Sequence, residues 1–504
     1  MNVEQAPGPV AGQRLKPPLH AKACATFFLG FAALLIAIHL PYLKLPFHWD
    51  EAGQFVPAAL DIFREGRFIP RSTVPNVHPP GLMALLALVW KIFGFSILAS
   101  RLTMLIIASF GVLFAFLLAI RLARGTSGAP AFAAALFLIV SPVFYTQSMM
   151  VLLDMPAMVL TLLALLLFLD ARFAACAAVC TALALVKETA ITTPFVLAAW
   201  LWLREGRRRQ ALYFLAPAAA LGTWLIVLRR ATGHWLGNEE FAQFNVGAAL
   251  EPFHMGFAFL ARAWYLFAAD GHFLGAIALF FGWRLLRGKE WSIVLLVAAA
   301  QLVLVTVFGG AELERYLLPV LPVLYSAFAT AASIYSQRLR LASHAVLIAL
   351  LVAGWFWNSP FPWPYEDNLA MVDFVRLQQS AAQYLEAYAP GARIASAWPF
   401  TDAVQYPDLG YVERPMKARK ASGLHLTEIA DLGPGSFDVL VMFVNKRPVR
   451  GSIIDVPLLR PFLRHYYDYE PQASPEEIRE GLGYVPFKRW ERHGQWIEIY
   501  VPEP

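Results

Sequence analysis

Five segments place ionisable or polar residues where the surrounding chain is apolar: PFHWDEAGQF, NVHPPGLMALL, SPVFYTQSMMVLLDMPAM, LALVKETAITTPF and FGGAELERYLLPVLP. In the first, Asp50 or Glu51 can take the proton of a hydroxyl as that hydroxyl attacks. The pair also precedes an amphipathic stretch, where Asp caps exposed helix amides and Glu suits the first turn. On spacing alone capping is the simpler reading. His78, before Pro79 and Pro80, can donate to a phosphate or only cap a surface. Asp154, two residues before Pro156, is as well placed to start a helix as to face a polar cavity. Lys187 and Glu188 can neutralise each other as a buried pair. The last segment brings Glu312, Glu314, Arg315 and Tyr316 together, and an arginine fork donates two hydrogen bonds to one phosphate. Lys187 and Arg315 are therefore the candidate phosphate holders, with Asp50 and Glu51 as candidate catalytic carboxylates. His78, Asp154, Glu314 and Tyr316 complete the candidate substrate contacts. Adjacent carboxylates suit a hard divalent cation, but no ligand spacing demands one, and no metal ligand is assigned. There is no Gly-rich phosphate loop of the nucleotide-binding kind.

The elements that must position these residues are membrane helices. Of the 504 residues 58% are hydrophobic and 15% charged, far fewer charges than a soluble surface of this length carries. Apolar runs fill Phe27 to Trp357, whereas residues 358–504 read as an ordinary soluble sequence. Residues 1–22 are polar and Pro-rich, which predicts a disordered cytoplasmic terminus. The apolar run that follows lacks a small-residue cleavage site, so it reads as an uncleaved anchor. Three domains result: 1–22, a membrane domain 23–357, and a soluble domain 358–504. The net charge of +6 does not point to nucleic acid, because the basic residues sit in short clusters between apolar runs. Cys24, Cys176 and Cys180 also lie in apolar runs, away from any disulfide framework or zinc spacing.

A span needs about 20 apolar residues. Spans are predicted near 24–45, 97–121, 130–147, 152–170, 172–188, 189–203, 211–229, 268–286, 291–308, 316–335 and 342–357, about eleven in all. Gly81 to Trp90 is too short and reads as an interfacial or re-entrant helix. Basic clusters at Arg14–Lys22, Arg121/Arg124, Arg204–Arg209, Arg284–Lys289 and Arg338/Arg340 mark cytoplasmic loops. The tail and all five chemical segments then face the other side. A charge at mid-bilayer costs roughly 2.5–3.5 kcal/mol even on the lenient insertion scale, so Asp154, Lys187 and Glu188 should border one polar cavity.

The acidic pair after the first span, HPP, the SP…D-x-P turn, KET and ERYLLPVLP occur in that order between roughly Ala21 and Trp357. Together they resemble the GT-C glycosyltransferases of the protein O-mannosyltransferase and lipid A aminoarabinose transferase group. His78 stands where the aminoarabinose transferases carry a lysine. The resemblance implies an all-α polytopic membrane fold with a small C-terminal periplasmic α/β domain, in a bacterial inner membrane. It maps the essential acidic residue of the first outer loop onto Asp50. It implies a sugar donor on a polyprenyl phosphate, a lipid, protein or glycan acceptor, and single displacement with Asp50 as general base. Glu51 would orient Asp50 or the acceptor. A transporter or flippase also keeps charges in a polar cavity, but the spans show no inverted repeat.

Within the tail, Asp367 to Tyr388 has helical periodicity, while ARIASAW, FDVLVMFV and WIEIYV read as buried strands. This predicts a small α/β domain over the cavity, for acceptor binding, as a lid, or as a purely structural cap. Trp398, Asp402 and Tyr406 can reach substrate, but core and surface packing is the safer reading, and none is assigned to the site.

Overall fold

The structure is a computed structural model that describes residues 21–308, 313–356, 365–433, 435–444, 456–461 and 472–504. Residues 1–20 of the predicted disordered terminus, the segment 357–364 and Glu312 lie outside the described residues, whereas residues 21 and 22 already belong to the helix Ala21–His39.

Among the described residues, five helical elements are long and apolar enough to cross a membrane: Ala21–Tyr42, Ile97–Leu122, Arg208–Thr232, Lys289–Val307 and Gln337–Gly354. A sixth arises if Pro252–Phe267 and Ala269–Leu286, which meet at 45°, form one broken span. Six more apolar helices are shorter than a full crossing. The expected eleven spans are therefore not established. One reason is proline. The run 130–147 is broken at Ser141 into Pro130–Val140 and Pro142–Gln147, because Pro142 lacks an N–H and its ring crowds the preceding turn. The short element near Gly81 is a helix of 13 residues, Gly81–Phe93. At 1.5 Å per residue it is about 20 Å long, short of a hydrocarbon core about 30 Å thick.

The two ends of the helical part differ chemically. On Ile97–Leu122, Arg101 and Arg121 stand twenty residues apart, about 30 Å along the axis. Arg121 pairs with Asp170 and, at 2.9 Å, with Glu290, and Trp291 donates to the Leu122 carbonyl at 3.0 Å. Close by in sequence, Arg340 and Ser333 both donate to the Ser127 carbonyl. Three of the clusters read as cytoplasmic, Arg121/Arg124, Arg284–Lys289 and Arg338/Arg340, thus meet at one end. The helices Asp154–Leu169 and Lys289–Val307 run from that end to a cavity lined by Asp154 and Val305.

The C-terminal part is a five-stranded sheet in the order β2-β1-β3-β5-β4. Its strands are β1 Arg393–Ser396, β2 Lys417–Lys420, β3 Val439–Phe443, β4 Tyr484–Arg492 and β5 Gln495–Pro502. β1 runs parallel to β2 and β3, and β5 pairs antiparallel with β3 and β4. The three predicted strands are β1, β3 and β5, the central ones. The edges β2 and β4 escaped notice because KARK and YVPFKRWER carry the charge and proline that protect sheet edges. The helix Ala370–Tyr388 packs on this sheet, with Phe374 edge-on to Phe443 at 5.7 Å. The sheet domain sits on the loop after the first helix: Tyr411 donates to the Phe47 carbonyl at 2.9 Å, and the Phe47 amide donates to the Leu409 carbonyl at 3.0 Å.

Candidate active site

The loop that leads to Asp50 is held in place by one buried ion pair. Glu51 and Arg101 are both fully buried and bonded to each other. Glu51 also accepts from the amides of His48 at 3.0 Å and Val151 at 2.6 Å. Arg101 donates to the carbonyls of Leu45 (3.2 Å), Pro46 (3.1 Å) and Met149 (2.9 Å). The pair thus clasps the loop before Asp50 to the segment leading into Asp154. Trp49 sits at φ 48°, a left-handed conformation that a bulky residue keeps only where its surroundings impose it.

The two halves of the expectation for Glu51 separate. It is fully buried and does not line the cavity, so it has no direct place against a substrate, while its bonds hold the loop that carries Asp50. Asp50 and Glu51 are neighbours at the start of a helical turn, so their side chains leave the axis in different directions. Asp50 is the residue that faces outward. Its carboxylate makes no cap hydrogen bond, so the capping explanation lacks the contact it needs.

The cavity has a volume of about 720 Å³, within the range of small-molecule sites. Asp50, His78, Asp154, Lys187, Arg315 and Tyr316 all line it. Six of the eight candidate residues, from five separate segments, therefore converge. Asp50 pairs with Arg315, which also meets Glu366 at 2.9 Å and Asp154 at 3.6 Å. Lys187 pairs with Asp154 and lies 4.4 Å over the Tyr316 ring. Burial pushes the Glu366 carboxyl upward against the pull of Arg315. Two cations, Lys187 and Arg315, thus meet the carboxyl groups of Asp50, Asp154 and Glu366.

Two expectations change. Lys187 and Glu188 do not neutralise each other: Glu188 turns instead to His78, at 2.8 Å. Lys187 is extended (φ −147°, ψ 121°) just before a tight turn, which sends successive side chains to different partners. Glu314 is not among the lining residues; its carboxyl stands against Asp367 in an adjacent acidic group. In the turn Glu314–Leu317 the two neighbours again diverge, Arg315 toward the cavity and Glu314 away from it.

Other lining residues were missed or passed over. Asn238, Glu240 and Phe241 come from the loop after Thr232, and Trp398 and Lys420 from the sheet domain. Arg101 did leave a signal. A lone arginine four residues into an apolar helix needs a buried partner. Among the described residues no group of three or more His, Cys, Asp or Glu is placed to hold a metal ion.

No protein-family model matches the sequence, and no curated protein does. Solved structures do match. ArnT from Cupriavidus metallidurans bound to undecaprenyl phosphate aligns over 95% of this chain and 98% of its own, with 14% identity and a TM-score of 0.56. The same protein in the apo state gives the same coverage and a TM-score of 0.54. The oligosaccharyltransferase AglB from Archaeoglobus fulgidus, in complex with an inhibitory peptide and a dolichol-phosphate, covers 94% of this chain and 74% of its own at 11% identity. Its TM-score of 0.46 is too low to carry weight. The likeness to ArnT runs through both the helices and the terminal sheet, and the chain has the GT-C fold.

Proposed function

We propose that this protein is a membrane glycosyltransferase that moves a sugar from a polyprenyl-phosphate carrier to a lipid, protein or glycan acceptor. One observation carries the proposal. A single cavity, in a fold aligned almost end to end with a structure bound to undecaprenyl phosphate, holds the carboxylate of Asp50 beside the cations Lys187 and Arg315. The acceptor hydroxyl attacks the anomeric carbon and gives its proton to Asp50. A new C–O bond forms as the bond from the anomeric carbon to the phosphate oxygen breaks, and polyprenyl phosphate leaves. Lys187 and Arg315 meet the charge that develops on that phosphate, which favours the transition state over the bound substrate. Mass spectrometry of the cell envelope from a deletion strain tests the function: one sugar should be missing from one envelope component. An unchanged envelope would speak against sugar transfer.

In this reading the basic end faces the cytoplasm of a bacterial inner membrane, and the cavity and residues 358–504 face the periplasm. Reporter fusions after Arg124, Arg209 and Arg340 should behave as cytoplasmic, and one at Pro504 as periplasmic. A cytoplasmic Pro504 would separate the terminal domain from the proposed side of reaction.

Lys187→Ala should reduce kcat/KM for the donor about tenfold to a hundredfold, the worth of one hydrogen bond to a charged group. Folding should change less, because Asp154 keeps Arg315 nearby. Full activity in this variant would make Lys187 only the structural partner of Asp154.

A further inference from the structure

Among the described residues, the terminal domain contributes Trp398 and Lys420 to the wall of the cavity. Sheet pairing brings them together. Lys420 lies opposite Ser396 in the parallel β1–β2 register, two residues before Trp398. The indole is half-buried and firmly seated. It stands edge-on to Trp49 with ring centroids 4.6 Å apart, and it lies beside the Asp402 carboxyl. Beneath it is Gly53, where an added Cβ would come within 3.0 Å of the ring. Trp398 therefore rests on residues that flank Asp50 in sequence, Trp49 before it and Gly53 after it. The ring and Asp50 thus line the same cavity.

Lys420 differs from the other cations of the cavity. Lys187 and Arg315 are buried and paired with carboxylates, whereas Lys420 is exposed and among the described residues makes no close ion pair, its charge acting on the nearby Asp402 carboxyl. Lys417 and Arg419, on the same edge strand, are exposed too, so positive charge continues outward from the cavity mouth. An edge strand can carry lysines merely to prevent sheet-to-sheet pairing, but that role does not require one of them to line a cavity.

Resting on the glycosyltransferase reading, we propose that Trp398 and Lys420 form the acceptor subsite, selecting a saccharide that bears an anionic group, a phosphate or a carboxylate. The tryptophan offers an apolar surface to the C–H face of a sugar ring. Lys420 pairs with the charge on that sugar, while Lys187 and Arg315 remain available for the phosphate of the donor.

The test is calorimetric binding to the purified full-length protein, with glucose 6-phosphate, glucuronate and glucose as probes, and undecaprenyl phosphate measured separately. The wild type should bind at least one charged sugar about tenfold tighter than glucose, a margin of one charge pair. The phosphate and carboxylate arms show which anion is preferred. Lys420→Ala should abolish the preference and leave glucose and undecaprenyl phosphate binding intact. Trp398→Ala should weaken all three sugars, and Trp398→Phe, which keeps an aromatic ring, should restore part of the binding. Lys187→Ala should weaken undecaprenyl phosphate alone. The proposal is overturned if no sugar binds the wild type, if charged and neutral sugars bind equally, or if the preference survives in Lys420→Ala. That last result would leave Lys420 as an edge guard. The two readings fail separately: sugar transfer without a Lys420-dependent preference removes only the subsite. A preference without transfer keeps the subsite and removes the enzyme.

Discussion

Asp50→Asn should insert and purify like the wild type and lose at least about two orders of magnitude in transfer rate, the typical contribution of a general base. The substitution is nearly isosteric. Asn can still accept a hydrogen bond from Arg315, but it cannot hold the acceptor proton. A cap would respond differently: it is worth about 1 kcal/mol, and Asn serves almost as well as Asp. Asp50 makes no cap bond in any case, so stability should barely register the change. Single-turnover transfer measured beside thermal unfolding separates these effects. Near-normal transfer would move the search for the base to Asp154, the other lining carboxylate tied to Arg315.

Arg101→Leu should have the opposite profile, with the loss falling on folding rather than on chemistry. It leaves Glu51 buried without its cation, and breaking such a pair by removing one partner costs about 3–5 kcal/mol. That is a large share of the 5–15 kcal/mol that typically separates folded from unfolded protein. The expected outcome is a sharp fall in the yield of monodisperse protein and in its unfolding temperature in detergent. Replacing Glu51 by leucine as well should recover part of the loss. Recovery stays incomplete because the His48 and Val151 amides lose their shared acceptor. Wild-type stability in Arg101→Leu would show that the clasp is not what holds the loop before Asp50.

Much of the site was legible because charge is costly in an apolar chain. Asp154, Lys187 and Arg315 stood out for that reason, and the structure brings all three to one cavity. What the sequence could not show was direction. Asp50 and Glu51 are chemically alike and adjacent, yet one faces the cavity and the other is sealed under it. Adjacency also suggested Lys187 with Glu188, whereas a change of backbone conformation between them assigns Asp154 and His78 instead. Trp398 and Lys420 become neighbours only through the pairing of β1 with β2, and β2 has no apolar alternation to reveal it. Helical character was plain from hydropathy. The number of crossings was not, because breaks such as the one at Pro142 divide apolar runs into pieces shorter than a bilayer.

The central claim is sugar transfer from a lipid phosphate, and the release of that phosphate measures it most directly. Purified wild-type protein would be incubated with lipid-linked sugars and an envelope extract from the same cells, with Asp50→Asn as the control. Mass spectrometry should find free polyprenyl phosphate and glycosylated acceptor formed in equal amounts by the wild type, and almost none of either with the variant. Full recovery of the intact lipid-linked sugar, or its movement unchanged across a proteoliposome bilayer, would contradict the assignment and point to a transporter.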